Sequence, residues 1–103
     1  ASPQIANNVA RQAAALRKGL ETINAELGLF SQVRGRGLML GAVLNAKYAG
    51  RAGEVLDLAA AQGLLMLQAG PDVLRFVPSL NITDAEVADG LARLHAALRA
   101  FAA

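Results

Sequence analysis

The chain has 103 residues, 54% of them hydrophobic but only 4% aromatic, with ten basic and eight acidic side chains and a net charge of +2. That length allows one domain that buries roughly 60–70% of its unfolded surface, enough for one aliphatic, alanine-rich core. The near balance of charge argues against nucleic acid or an anionic membrane as partner. The lack of cysteine rules out disulfides and thiolate chemistry, and no apolar run approaches the ~20 residues of a membrane span.

No signal-peptide pattern opens the chain, so a cytoplasmic location is expected. Ala1 stands where a complete reading frame would carry Met, and the expectation is a piece of something longer.

Residues 3–27 read as a long amphipathic helix. Ser2 suits the N-cap and Pro3 the first helical position. Ile5, Val9, Leu16, Leu20, Ile23 and Leu27 recur at steps of three, four or seven, with Ala13 between them. Gly28 suits the residue after the C-cap. Arg11, Arg17, Lys18 and Glu21 read as the solvated side. Gly19, inside the helix, weakens it by about 1 kcal/mol relative to Ala and suggests close packing.

Residues 31–45 read as one long strand. Its alternation puts Gly35, Gly37 and Gly41 with Val33, Met39 and Val43, and Arg34 and Arg36 with Leu38, Leu40 and Leu44. Three glycines on one face imply that another backbone or a helix comes close. A dinucleotide fingerprint fails, because Leu40 stands where the third glycine belongs and no helix pattern follows. Arg34 and Arg36 lack the aromatics and further basic repeats of a nucleic-acid motif.

After a loop at 46–50, residues 51–62 read as a short helix with Val55, Leu56 and Ala59 inward and Gly63 as the stop. Two short strands follow, 64–68 and 73–77, joined as an antiparallel hairpin by the Gly70-Pro71-Asp72 turn. Thr83 and Glu86 make a capping box, and the last helix presents Val87, Leu91, Leu94, Leu98 and Phe101. The expected class is α+β: a small antiparallel or mixed three-stranded sheet with helices packed on one face. Its other face carries enough apolar residues that a covering neighbour is expected.

Arg75 interrupts the run 73–77. In a strand it shares a face with Val73 and Val77, while Leu74 and Phe76 point the other way. A guanidinium among apolar neighbours is costly to bury unless an anion meets it. Two anions fit: a carboxylate from another element in a structural ion pair, or a ligand carboxylate or phosphate matched to the planar fork.

Other chemistry finds little footing. His95, the single histidine, sits at the edge of the last helix's apolar stripe and reads as a surface or capping residue. One histidine without cysteine, among scattered Glu54, Asp57, Asp72, Asp84, Glu86 and Asp89, makes no metal site. Asp84, Glu86 and Asp89 read as stabilising the last helix's N-terminus. Ser2, Ser31 and Ser79 have no base nearby in sequence. Lys18 and Lys47 lie outside any apolar run that would depress a lysine pKa.

Two stretches carry a resemblance. Val33-Arg34-Gly35-Arg36-Gly37-Leu38-Met39-Leu40-Gly41 resembles one hallmark of the C-terminal small domain of class III pyridoxal-phosphate aminotransferases, enzymes of fold-type I. Ala69-Gly70-Pro71-Asp72-Val73-Leu74-Arg75-Phe76-Val77-Pro78-Ser79-Leu80 resembles the second. In this second stretch the chain is most similar to the acetylornithine and succinylornithine branch. With the flanking helices in order, the resemblance covers about residues 5–101.

The resemblance implies that Arg75 binds the substrate's α-carboxylate. It also implies a parent enzyme that uses pyridoxal 5'-phosphate, a cytoplasmic homodimer moving the δ-amino group of N-acetylornithine to 2-oxoglutarate in arginine metabolism. The lysine that bonds the cofactor, the acid facing its pyridine nitrogen and the phosphate-binding loop belong to the family's large domain, and nothing here matches them. This chain is therefore expected to be inactive alone, with that large domain of the same polypeptide as its partner. The rival expectation is a free-standing ferredoxin-like regulatory domain in which Arg75 holds a small anionic effector. A nearer rival is another class III aminotransferase, against which Pro78-Ser79-Leu80 argues.

Overall fold

The computed structural model describes residues 3–103, so the Ser2 N-cap lies outside the described residues. Helix α1 runs Pro3–Leu27, followed by strands β1 (Phe30–Arg36) and β2 (Met39–Leu44), a 3-10 turn (Ala46–Tyr48) and helix α2 (Ala52–Ala61). Strands β3 (Leu67–Gln68) and β4 (Val73–Phe76) and helix α3 (Asp84–Ala102) complete it. The α+β class stands. The sheet, however, has four strands rather than three, in the order β1-β2-β4-β3 with every pair antiparallel. The order of elements also differs from the βαββαβ of a ferredoxin-like domain.

The extra strand comes from residues 31–45, which fold back on themselves. Arg36 pairs with Met39, leaving Gly37 and Leu38 as a two-residue turn. Gly37 has φ +55 while Leu38 keeps a negative φ, the pattern of a type II′ hairpin with glycine first. Gly35, at φ +123, has no room for a Cβ against the Met39 carbonyl oxygen. The close backbone implied by the glycines is thus the chain's own returning strand.

The turn also reassigns the faces. In an uninterrupted strand residues 36 and 39 point opposite ways, but across a two-residue hairpin they pair and point the same way. Arg34 and Arg36 therefore join Met39, Gly41 and Val43. Leu40 and Leu44 join Phe30 and Val33 on the helix side.

The inner face of the sheet holds Phe30, Leu40, Ala42, Leu44, Leu74 and Phe76, all buried. Leu16, Leu20 and Ile23 of α1, Val55 of α2, and Val87, Leu94, Leu98 and Phe101 of α3 close the core over it. The apolar spacings of the three helices predict most of this layer. The exceptions lie at the start of α1, where Ile5 is exposed and the buried position is Gln12. Here α1 holds the segment before α3 through polar groups. Asn8 Nδ2 donates to the carbonyls of Leu80 and Ile82 at 2.9 and 3.0 Å, and Gln12 Nε2 donates to Asp84 Oδ1 at 2.6 Å.

Both predicted glycine stops hold. Gly28 (φ +64) donates its N–H to Asn24 O at 2.7 Å. Gly63 (φ +81) closes α2 with paired bonds, Leu64 N to Ala59 O and Gly63 N to Ala60 O, both 2.9 Å, which is a Schellman motif. That motif takes Leu64 out of the predicted strand 64–68, and β3 shrinks to Leu67–Gln68. On the other side, β4 ends at Phe76, because Pro78 has no N–H for a ladder.

The sheet's edges are protected. Arg17, assigned from sequence to the solvated side, reaches across to the edge strand β1 and donates to the carbonyls of Val33 and Gly35 at 3.0 and 3.1 Å. The opposite edge, β3, is only two residues long. Both devices discourage pairing with a foreign strand.

Candidate functional site

Among the described residues no helix packs on the sheet's second face, since the buried residues of all three helices close the other one. Met39 and Leu67 are each more than half exposed there, and Arg34, Arg36 and Arg75 stand among them. Strand alternation in β4 sends Leu74 and Phe76 into the core and leaves Arg75 on the open side, as the period of two predicts.

Arg75 is exposed rather than buried. The burial problem posed from sequence does not arise within these residues. The register places Gly41 of β2 on one side of Arg75 and Leu67 of β3 on the other. No ion pair or hydrogen bond joins Arg75, Arg34 or Arg36 to a carboxylate among the described residues. The basic side chains that do find one are Arg11 with Asp84, Arg51 with Glu54, Arg93 with Asp89 and His95 with Glu26. Chemically, this face offers bare guanidinium donors among mostly apolar side chains, with Gln32 as one further polar group. Such a surface suits a carboxylate attached to an apolar chain.

The remaining sequence candidates fall into structural roles. His95 Nε2 lies 3.1 Å from Glu26 Oε2 and links α3 to α1. Glu86 completes the capping box with Thr83, as predicted. Asp84 also stands in the first turn of α3, as expected, and in addition receives Arg11 and Gln12 from α1, whereas Asp89 lies beyond that turn and pairs with Arg93. Arg93 Nη1 also donates to Gln62 O at 2.6 Å, at the end of α2. The polar fastening by Asn8, Gln12 and Arg17 escapes a reading based on apolar spacing.

Electrostatic perturbation lies away from the open face. The hydrogen bond from Arg51 holds the Glu54 carboxyl below its ordinary range and raises the Arg51 guanidinium in turn. The Arg51 guanidinium also lies over the Phe101 ring, 4.6 Å from its centre. Among the described residues no group of three or more His, Cys, Asp or Glu gathers to hold a metal ion. Lys18 and Lys47 are both exposed, so no buried lysine among the described residues is placed to bond pyridoxal phosphate.

A family model described as aminotransferase class III matches residues 1–98. An acetylornithine aminotransferase of Xanthomonas campestris pv. campestris is 74% identical over the whole chain, which covers 25% of that protein. The chain thus spans about a quarter of the length of the curated relatives it matches. The crystal structure of an N-acetylornithine aminotransferase from Stenotrophomonas maltophilia superposes with a TM-score of 0.96 at 70% identity, over 98% of this chain and 28% of that one. An ornithine aminotransferase from Toxoplasma gondii, whose active site is described as partly occupied by PLP, superposes with a TM-score of 0.83. It is 26% identical, over 94% of this chain and 23% of that one.

Proposed function

Because the chain belongs to the class III aminotransferases, we propose that it is the C-terminal small domain of an acetylornithine aminotransferase. In this reading the whole protein moves the δ-amino group of N-acetylornithine to 2-oxoglutarate, and Arg75 binds the substrate α-carboxylate. The observation that carries the assignment is identity of 70–74%, across essentially the entire chain, with proteins described by that activity. The free-standing regulatory reading has no counterpart support, since the relatives extend far beyond this domain.

Pyridoxal phosphate, in this reading, supplies the electron sink for amino transfer. Its ligands lie in the large domain of the same polypeptide, and this chain contributes none. The role of this chain is to bind and orient. Arg75, which meets no carboxylate among the described residues and is flanked by Leu67, would fix one end of the substrate so that its distal amine meets the cofactor. The open face would then be the surface on which the large domain closes. The whole protein is read as a cytoplasmic homodimer. Among the described residues no helix is long and apolar enough to cross a membrane.

The test uses two amines, N-acetylornithine and N-acetylputrescine, which lacks the α-carboxylate. Arg75→Lys keeps the charge but loses the fork. Loss of a charge-assisted hydrogen bond of roughly 1.5–3 kcal/mol should lower kcat/KM for N-acetylornithine by about ten- to a hundredfold. N-Acetylputrescine should lose far less. Equal loss for both amines would defeat the carboxylate-binding role.

A further inference from the structure

Arg75 shares its row of the sheet with a second unpaired guanidinium. Arg34 of β1 stands opposite Gly41 of β2, and Gly41 stands opposite Arg75 of β4. Neighbouring strands lie about 4.8 Å apart, so two long side chains flank a residue that has none. The Arg34 stem lies against the gap, its Cγ 4.0 Å from where a Cβ on Gly41 would be.

The backbone does not require glycine at this position. Gly41 is not among the residues with positive φ. A Cβ there would meet Val73 Cγ1 at 3.5 Å and Leu74 O at 3.7 Å, which is ordinary contact. Glycine inside a strand weakens it and often marks a site where something else approaches closely. Here the missing side chain leaves a small gap, bordered by Val73 Cγ1 and the Arg34 stem, between two cations that no described carboxylate neutralises.

The neighbouring positions make the arrangement selective. On its other side Arg75 has Leu67, which offers nothing to an anion. Arg36 pairs with Met39, whose side chain occupies the position that is empty beside Arg34. Of the two arginines on β1, only Arg34 faces Arg75 across a gap.

The geometry points to a two-arginine clamp in which Arg34 and Arg75 close over Gly41 on one substrate carboxylate, making Arg34 a second carboxylate-binding residue. This rests on the reading of Arg75 given above. A carboxylate has about four lone-pair sites. A bidentate fork from Arg75 leaves sites for Arg34, and the absent side chain at 41 lets the anion settle between them.

The experiment uses the full-length holoenzyme and compares Arg34→Gln, Arg36→Gln, Arg75→Gln, Gly41→Ala and Gly41→Leu. It reads kcat/KM for N-acetylornithine and N-acetylputrescine, and the calorimetric affinity for glutarate as a plain carboxylate probe. Arg34→Gln should cost about tenfold or more with N-acetylornithine and a similar factor in glutarate affinity, and less than about twofold with N-acetylputrescine. Gly41→Leu fills the gap and should reproduce that selectivity. Gly41→Ala, which adds one methyl to the gap, should fall between wild type and Gly41→Leu, and Arg36→Gln should show no such selectivity. A selective Arg75→Gln with an Arg34→Gln no different from Arg36→Gln overturns the clamp and leaves Arg75 standing. An Arg34→Gln that lowers Tm and slows both amines alike also overturns it, by showing that its carboxylate comes from the polypeptide. An unselective Arg75→Gln removes the carboxylate reading itself.

Discussion

Leu91 of α3 occupies the space in which a side chain at Gly19 of α1 would stand. The glycine lets the two long helices approach, as its place inside an otherwise regular helix suggests. Two effects oppose each other in Gly19→Ala. Helix propensity improves by about 1 kcal/mol. Against that, the Leu91 methyls must turn aside, and a rotamer shift of that kind costs about 0.5–1.5 kcal/mol. The net change in unfolding free energy should stay within about 1 kcal/mol of zero. Gly19→Val should lose about 1–3 kcal/mol by overpacking. In a Leu91→Ala background, Gly19→Ala should gain about 1 kcal/mol, since only the propensity term remains. Urea midpoints of the four variants in the full-length protein check the set.

The three glycines of the first hairpin should rank by backbone geometry. Gly35→Ala places a Cβ on the Met39 carbonyl at φ +123, where no side-chain rotation helps, and should cost at least about 3 kcal/mol. Gly37→Ala needs only the left-handed conformation, at φ +55, and should cost about 1–2 kcal/mol. Gly41→Ala has ordinary contacts and should be neutral or stabilising by up to about 1 kcal/mol. Thermal unfolding that ranks Gly41→Ala below Gly37→Ala would contradict the hairpin.

That hairpin marks the boundary of what the sequence makes legible. Helix positions follow from apolar spacing, glycine stops and one capping box, all of them local signals. The β3–β4 turn shows itself through Gly70-Pro71-Asp72. The Gly37-Leu38 turn does not, because apolar residues run on through Leu38, Met39 and Leu40 and conceal the break. A Gly-x pair between two alternating runs is itself a II′ signal, and it stood in the sequence. The faces of Arg34 and Arg36 depend on that one turn, so the row Arg34–Gly41–Arg75 is invisible until the turn is known. Arg75 is legible by alternation alone. Its exposure is not, because burial depends on what covers the sheet.

Gln12 and Asp84 join the first and last helices in a place where apolar spacing predicts nothing. The Gln12 side chain is almost fully buried, donating to Asp84 at 2.6 Å. Asp84→Ala removes the shorter of that amide's two hydrogen bonds, leaving only Asn8 Oδ1 at 3.4 Å, and should cost about 1–3 kcal/mol. Arg11→Ala removes only an exposed partner of the same carboxylate and should cost less than about 1 kcal/mol. Denaturant unfolding of the two variants distinguishes them, and equal losses would mean that the surface pair, not the buried amide, holds the helices together.

Arg75 should matter to ligand binding and not to the fold. Its side chain is exposed and meets no carboxylate among the described residues, while Leu74 and Phe76 beside it carry the core contacts. Arg75→Leu in the full-length protein should therefore shift the unfolding free energy by less than about 0.5 kcal/mol when no ligand is present. The opposite expectation holds if Arg75 meets a carboxylate of the surrounding polypeptide in a desolvated interface. Removing one member of a buried pair strands the other and costs about 3–5 kcal/mol. Ligand then separates the cases further. At a hundred times its dissociation constant, a ligand that binds only the folded state adds about 2.7 kcal/mol. Wild-type protein should show that increment with 2-oxoglutarate, and Arg75→Leu should lose most of it while keeping the ligand-free Tm. A ligand-free Tm that falls with the increment intact would assign Arg75 to the structural pair.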